Sequence, residues 1–415
     1  MACRGSSRNT SSSSNPPLSS EDVMVESLNC HRHQQQKKQK HHDLHRPQHQ
    51  EQEEEEEDQQ QPLLPGLPDH LAQLCLARLP PTLLFAVCRP WRRLLYSASF
   101  PPFLCLYALL SSPSSPSVEL KAFDPVAGSW LPLPPPPPPP CPQLSHLLLR
   151  HPAFLSHPIP VQSVVAAGHL VLLAATTRAL HPALPRPLAF DPSTDTWRLG
   201  PPLQAPRRWC AAGTAGGCVY VASGAGRNYS PEVARSVERW DISSGAGTGW
   251  ERVAPLRDGR FSREAVEAVA SRGKLCMVNV KGRAAKDGAV YDVAGDRWEE
   301  MPPGMLAGWT GPVAAAEDDE AATIYVVDEE DGELRAYDWE RDAWVAVAKS
   351  ERLSAAMQVA AGGGRVCVVC NGGDAVVVVD VATRPARLWA VEPPPQCGVV
   401  ALHLLPRMSR YPRRR

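Results

Sequence analysis

Two cysteines three residues apart, Cys367 and Cys370, have the C-x-x-C spacing that elsewhere holds zinc or cycles between dithiol and disulfide. They lie in the run Val366-Cys367-Val368-Val369-Cys370, which reads as a strand. Residues i and i+3 of a strand point to opposite faces, so the pair can neither share a metal nor close an easy disulfide. Six of the 13 histidines fall between His31 and His49, a composition that could bind metal but reads better as low-complexity expansion. His169 and His403 are the histidines well inside strand-like runs, and each reads as a lone core or edge residue. The run Gly362-Gly363-Gly364 follows a strand and is a turn, and neither a G-x-S-x-G elbow nor a phosphate-binding loop occurs. No metal site or cofactor is expected, and no catalytic set emerges. What remains is recognition chemistry. Arginines and aromatics recur in loops: Arg207, Arg208 and Trp209; Arg227 and Tyr229; Arg260 and Arg263; Lys281 and Arg283; Trp309; Arg352. These are the residue types of binding hot spots, and so many arginines suit an acidic or phosphorylated segment of a protein.

The elements that must position these residues differ along the chain. The 415 residues carry 43 basic and 44 acidic side chains, a net charge of −1, which provides no footprint for nucleic acid or an anionic membrane. Residues 1–61 hold 7 basic and 11 acidic groups with few large apolar side chains, so they are expected to be a disordered tail. Residues 406–415 read as a basic C-terminal tail. No signal peptide or membrane-spanning run stands out, and 12 cysteines are too sparse for a disulfide scaffold, so free thiols in a reducing compartment are expected. The 44 prolines argue against long helices.

Residues 62–101 read as three short helices. Leu67, Leu71, Leu74, Cys75, Arg78 and Leu79 form a stripe at helical spacing in which Arg78 is the only polar member, Pro80-Pro81 ends the first helix, Thr82 can cap a second over Leu83 to Cys88, and Pro90 opens a third over Trp91 to Ser97. Forty residues cannot bury such a stripe alone, so its apolar faces must pack on the next domain or on a partner.

From about residue 102 a repeat takes over. An aromatic-Asp pair followed by Trp recurs as Phe123-Asp124…Trp130, Phe190-Asp191…Trp197, Trp240-Asp241…Trp250, Tyr291-Asp292…Trp298 and Tyr337-Asp338…Trp344, with a weaker copy at Val379-Asp380…Trp389. A β-rich run precedes each, and turn formers separate Asp from Trp. Units of about 50 residues of this kind fit blades of a β-propeller. Six copies, a first copy short of an early strand, and a spare strand at 397–405 predict a six-bladed ring over 102–405 closed by that spare strand. The repeated Trp residues read as core between blades. The proline run at 131–142 reads as an extended surface loop.

Residues 64–100 resemble an F-box: Leu67-Pro68-Asp69, Leu79-Pro80, Val87-Cys88-Arg89, Trp91-Arg92, Leu95, Ser97 and Phe100 fall where that motif places them. The repeats resemble kelch blades, Arg207 to Leu256 most closely, although only Asn371-Gly372-Gly373 keeps the usual glycine pair well. Together they resemble the plant F-box/kelch-repeat proteins over roughly 62–405. The resemblance implies a mostly β fold, a kelch-type propeller behind a helical F-box module. It also implies a non-catalytic role: substrate receptor of a Skp–cullin–F-box (SCF) ubiquitin ligase. Leu67, Pro68, Leu71, Leu74, Leu79, Val87, Trp91 and Leu95 would meet a Skp-type adaptor and through it a cullin. The propeller would hold a protein bound for degradation, in the cytoplasm and/or nucleus. The alternatives are a propeller scaffold independent of any ligase and a copper-oxidase propeller; no set of Tyr, His and Cys at blade ends demands the latter.

Overall fold

A computed structural model describes residues 62–112, 115–136, 147, 161–244, 249–263, 266–279, 286–316 and 322–409. The tail at 1–61, the proline run from 137 onward, Lys281, Arg283 and the last six residues lie outside them. The chain divides into two compact units, residues 1–69 and 70–415.

In the first unit, Leu67 donates its backbone N–H to the Leu64 carbonyl (3.2 Å), and Leu63 donates to the Asp69 carboxylate (3.1 Å). These bonds shape the turn that leads into α1 (Asp69–Leu76).

In the second unit, α2 (Pro81–Val87) and α3 (Arg89–Leu95) follow. Both begin two residues before the sequence pattern suggests. Pro80 occupies the N-cap of α2 with no side-chain cap, so Thr82 does not cap it; a proline in the first turn of each helix presets φ where no intrahelical N–H is needed.

Among the described residues, twenty-four strands then form six four-stranded antiparallel sheets. From inner to outer strand the first blade runs β24 (Gly398–Pro406), β1 (Leu104–Ser112), β2 (Ser115–Asp124), β3 (Ser129–Pro132). The second is β4 (Gln162–Ala166), β5 (His169–Ala174), β6 (Leu188–Asp191), β7 (Thr196–Leu199), and the third β8 (Ala211–Ala215), β9 (Cys218–Ala222), β10 (Val237–Asp241), β11 (Glu251–Val253). The fourth is β12 (Val266–Ser271), β13 (Lys274–Asn279), β14 (Asp287–Asp292), β15 (Arg297–Glu300). The fifth is β16 (Val313–Ala315), β17 (Ile324–Asp328), β18 (Glu333–Asp338), β19 (Ala343–Lys349), and the sixth β20 (Gln358–Gly362), β21 (Arg365–Cys370), β22 (Ala375–Asp380), β23 (Arg387–Val391). This is the mostly β, six-bladed propeller the repeats predict. The spare C-terminal strand pairs with β1 from Leu104↔Pro406 to Ser111↔Gly398, so the two ends of the ring share a sheet and no inner edge is left open.

The repeated motif acquires a mechanical meaning. Its aromatic on the third strand faces its Trp on the fourth: Phe123↔Trp130, Phe190↔Trp197, Tyr291↔Trp298 and Tyr337↔Trp344 are cross-strand partners with ring centroids 5.0–5.3 Å apart. The Asp folds back on the intervening turn; Asp124, Asp191, Asp241, Asp338 and Asp380 each accept a backbone N–H two residues on. Each Trp Nε1–H then donates to a carbonyl in the segment that leaves the preceding blade. Trp197 reaches Pro134, Trp250 reaches Pro201, Trp298 reaches Ala254 and Trp344 reaches Met305, all at 2.8–3.0 Å. Trp130 reaches Glu392 at 2.8 Å and completes the circle. Trp389 is the exception: Val378 stands across from it, it makes none of these contacts, and it is 38 % exposed beneath Arg365.

Call the end of the ring where the inner strands begin the front rim and the end where they finish the back rim. The residues that follow α3 are fixed at the back. Leu104 pairs with the last residue of β24, and the Tyr96 hydroxyl bonds the Asp124 carboxylate at the end of β2. Pro406 and Arg407 belong to the fold and not to a basic tail, because β24 runs through Pro406 and Arg407 is 5 % exposed. The Arg407 guanidinium donates to the carbonyls of Ser97 (2.6 Å), Tyr96 (3.3 Å) and Phe100 (3.3 Å) and lies over the rings of Tyr96 and Phe103.

Candidate functional site

Two surfaces carry the residues singled out from sequence. The first is on the helices. In the first unit, Leu67 and Pro68 are exposed. In the second, α1 turns Ala72 and Leu76 inward, while Leu71 and Leu74 face solvent at 42 % and 66 % exposure. On α2, Leu84 is buried, and Leu83 and Val87, one helical turn apart, are 46 % and 52 % exposed. A helix that is apolar on both sides has a second face with nothing over it, which is the property of a docking element. Leu79 and Trp91 are half-buried. Leu95 is fully buried and so belongs to the internal packing, not to a docking face. Leu83 was missed by sequence reasoning, although its i, i+4 relation to Val87 was available.

The second surface is the front rim. Segments entering the inner strands and those joining second to third strands meet there. Residues 200–210, 223–236, 254–263, 301–312 and 350–357 are such segments, so the described arginine and aromatic candidates converge on one end of the ring, opposite α2 and α3. They differ in availability. Arg227 and Arg352 are exposed, and Tyr229 is 51 % exposed. Arg260 is exposed but ion-paired with Asp258 and Asp287 at 3.3 and 3.2 Å. Arg208 is half-buried and stacks on Trp209, 4.0 Å from guanidinium carbon to ring centroid. Desolvation lowers the Arg208 pKa. Trp209 is held at φ 56, and the Arg208–Ala225 bridge beside it leaves no room for a Cβ at Gly224 (φ 100), which would come 2.8 Å from the Arg208 carbonyl oxygen. For Arg263 only the backbone, in a short 3₁₀ turn, is described.

Two candidates lie inside the protein and are not part of the rim's surface. Arg207 is 0 % exposed. Its guanidinium bonds the buried Glu238 carboxylate, Ser236 Oγ (2.8 Å) and the Ser223 carbonyl (3.1 Å), and the other Glu238 oxygen accepts the Gln204 N–H (3.1 Å). It is a structural ion pair that ties residues 204–207 to β10. Trp309 is 1 % exposed and packs edge-on against Trp344 in the core shared by the fourth and fifth blades.

Neither of the thiol pair Cys367 and Cys370 is exposed, and both are free. Burial pushes Cys367 up to about 12 and Cys370 up to about 11, so both stay protonated and inert. Among the described residues no group of three or more His, Cys, Asp and Glu is placed to hold a metal, and no helix is long and apolar enough to cross a membrane.

Fold and surfaces together define a six-bladed β-propeller with short helices bearing exposed apolar side chains at one rim and arginine-bearing loops at the other. The chain is 47 % identical over 363 residues to the F-box/kelch-repeat protein SKIP25 of Arabidopsis thaliana, covering 84 % of this chain and 90 % of that protein. It is 25 % identical over 271 residues to the F-box protein AFR of the same plant, covering 60 % and 65 % of the two chains. The chain therefore belongs to the F-box/kelch-repeat family. No protein-family model matches it. Among solved structures, a chain of a nidogen/laminin complex superposes with a TM-score of 0.47 at 9 % identity, over 74 % of this chain and 100 % of that one.

Proposed function

We propose that the chain is the substrate-recognition subunit of an SCF-type ubiquitin ligase. The exposed side chains Leu71, Leu74, Leu83 and Val87 dock a Skp-type adaptor and through it a cullin. The front rim holds the protein to be ubiquitinated. The chain transfers no ubiquitin itself; it tethers and presents. It acts wherever its cargo is, in cytosol or nucleus.

The observation that carries this reading is the uncovered apolar face of α1 and α2 on a module fixed to the rim opposite the arginine-bearing loops. Rigid attachment matters because a receptor must hold its cargo at a set distance from the ligase. Burying a leucine stabilises a complex by about 1.5–3 kcal/mol, so four such side chains suffice for stable docking. The front rim, with Arg227, Arg352 and the Arg208–Trp209 stack, offers cationic and aromatic contacts of the kind that bind acidic peptide segments.

Affinity capture from plant cells with the proteasome blocked tests both halves. Wild type should retrieve a Skp-type adaptor, a cullin and at least one further protein. An Arg227→Glu/Arg352→Glu variant should keep adaptor and cullin and lose the further protein. Absence of the adaptor from the wild-type sample would contradict the reading.

A further inference from the structure

The inner strands of all six blades surround an axial cavity of about 400 Å³. That lies within the range of small-ligand sites, roughly 300–1,000 Å³. Its wall is mostly alanine and valine. The one carboxylate in that wall is Glu267, the second residue of β12 and so close to the front rim. No described side chain or backbone group pairs with it, in contrast to the paired glutamates elsewhere in the ring, such as Glu238, Glu251 and Glu299. Glu267 is half-buried, and desolvation, with the Glu329 charge second, pushes its carboxyl up to about 7. Among the described residues that line the cavity there is no lysine or arginine to answer that charge. Its histidine, His403, bonds Ser163 Oγ through Nε2 at 2.8 Å, and burial pushes its pKa down to about 4, so it is neutral at physiological pH.

We propose that the axial cavity is a binding site for a single organic cation, an ammonium or guanidinium on an apolar stem, held by Glu267. A carboxylate that faces a partly apolar cavity with no cation beside it favours a counter-charge there. An anion is repelled. A single carboxylate makes a weak site for a divalent metal, and among the described residues no cluster is placed to hold one. An alkylammonium satisfies both features of the site: its head pairs with Glu267, and its stem packs on the alanine and valine wall. Gln162 and Gln358 also line the cavity. The cation can come from a free small amine or from a lysine or arginine side chain inserted by a protein bound at the front rim. The inference does not rest on adaptor docking; it stands or falls on the cavity alone.

The test uses the full chain at pH 8 and compares n-butylammonium with its neutral counterpart 1-butanol, in wild type and in Glu267→Gln, by ligand-observed NMR and calorimetry. Wild type should bind the cation at least tenfold more tightly than the alcohol, and the preference should shrink at pH 6, where Glu267 takes up a proton. Glu267→Gln should melt no lower than wild type and bind the two probes alike. A blocked alanine peptide with a single central lysine then separates the sources: displacement of butylammonium by the peptide assigns the site to a protein side chain, and its failure to displace assigns it to a small amine. No binding of butylammonium, equal binding of cation and alcohol by wild type, or a preference that survives Glu267→Gln would overturn the proposal.

Discussion

Arg207→Ala is the substitution for which the structure makes the sharpest demand. Arg207 and Glu238 are 0 % and 1 % exposed, and the arginine also satisfies the Ser223 carbonyl and Ser236 Oγ. Truncating it leaves Glu238 ionised and buried with only the Gln204 N–H for support. Breaking a buried pair from one side costs about 3–5 kcal/mol, because an uncompensated charge remains in low dielectric. Against a total stability of about 5–15 kcal/mol that is a large fraction. At roughly 2 °C per kcal/mol for a domain of this size, the melting temperature should fall by on the order of 5–10 °C. Arg227→Ala and Arg352→Ala, on exposed residues of the same rim, should stay within about 0.5 kcal/mol of wild type. An Arg207→Met/Glu238→Leu double variant should recover most of the loss, since removing both charges is far cheaper than removing one. Urea unfolding followed by tryptophan fluorescence, with thermal melts by circular dichroism, reads all four. If Arg207→Ala melts with wild type while cargo binding is lost, Arg207 is a surface contact and the buried pair is wrong.

Other expectations follow from the same geometry. Glu267 is protonated in the folded state up to about pH 7, well above the ordinary carboxylate range. Its raised pKa means the unfolded chain ionises first, so the fold loses stability as pH climbs from about 4.5 to 7 and stays penalised above that. Glu267→Gln should therefore raise the melting temperature at pH 8, by at most about 3 kcal/mol of stability and less where solvent in the cavity screens the charge, and leave it unchanged at pH 4.5. Arg407→Ala should orphan the carbonyls of Tyr96, Ser97 and Phe100 and cost about 2–4 kcal/mol locally; hydrogen exchange at residues 96–103 should speed up while adaptor affinity holds. Of the nine described cysteines, Cys75 is exposed, whereas Cys210, Cys276, Cys367 and Cys370 are buried with pKa values raised to between about 11 and 12. Iodoacetamide should label Cys75 in the native protein and those four only after denaturation, as peptide mapping would show.

The ring was legible in the sequence because one motif performs one mechanical task in each blade. An aromatic across from Trp, an Asp that folds the turn and an indole N–H that grips the previous blade leave a local, repeating trace. The weak sixth copy was legible for the same reason: Val379 replaces the aromatic, and Trp389 does end up exposed. The apolar helical stripe was visible too, but periodicity alone does not say which side faces out. Ala72 and Leu76, which fix the inner side of α1, lie outside the stripe. The front rim shows where local reading stops. Arg207 and Arg208 are adjacent and chemically identical, yet one is sealed against a glutamate 31 residues away and the other stacks at the surface. That pairing is set by the docking of residues 204–207 on β10, which leaves no local signal. Glu267 is hidden for a related reason. Only closure of the ring brings six inner strands around it, so nothing in its own hexapeptide, Val266–Ser271, marks it as the acid of the axial cavity.

The central claim is that the outward faces of α1 and α2 dock a Skp-type adaptor. The most direct measurement is the adaptor's dissociation constant, by calorimetry, for wild type and for a Leu74→Asp/Val87→Asp variant whose melt matches wild type. Both side chains are more than half exposed, so neither substitution opens the core. Losing two buried apolar contacts at about 1.5–3 kcal/mol each should weaken binding by at least about 100-fold. An unchanged dissociation constant, or no binding by wild type, would contradict the account.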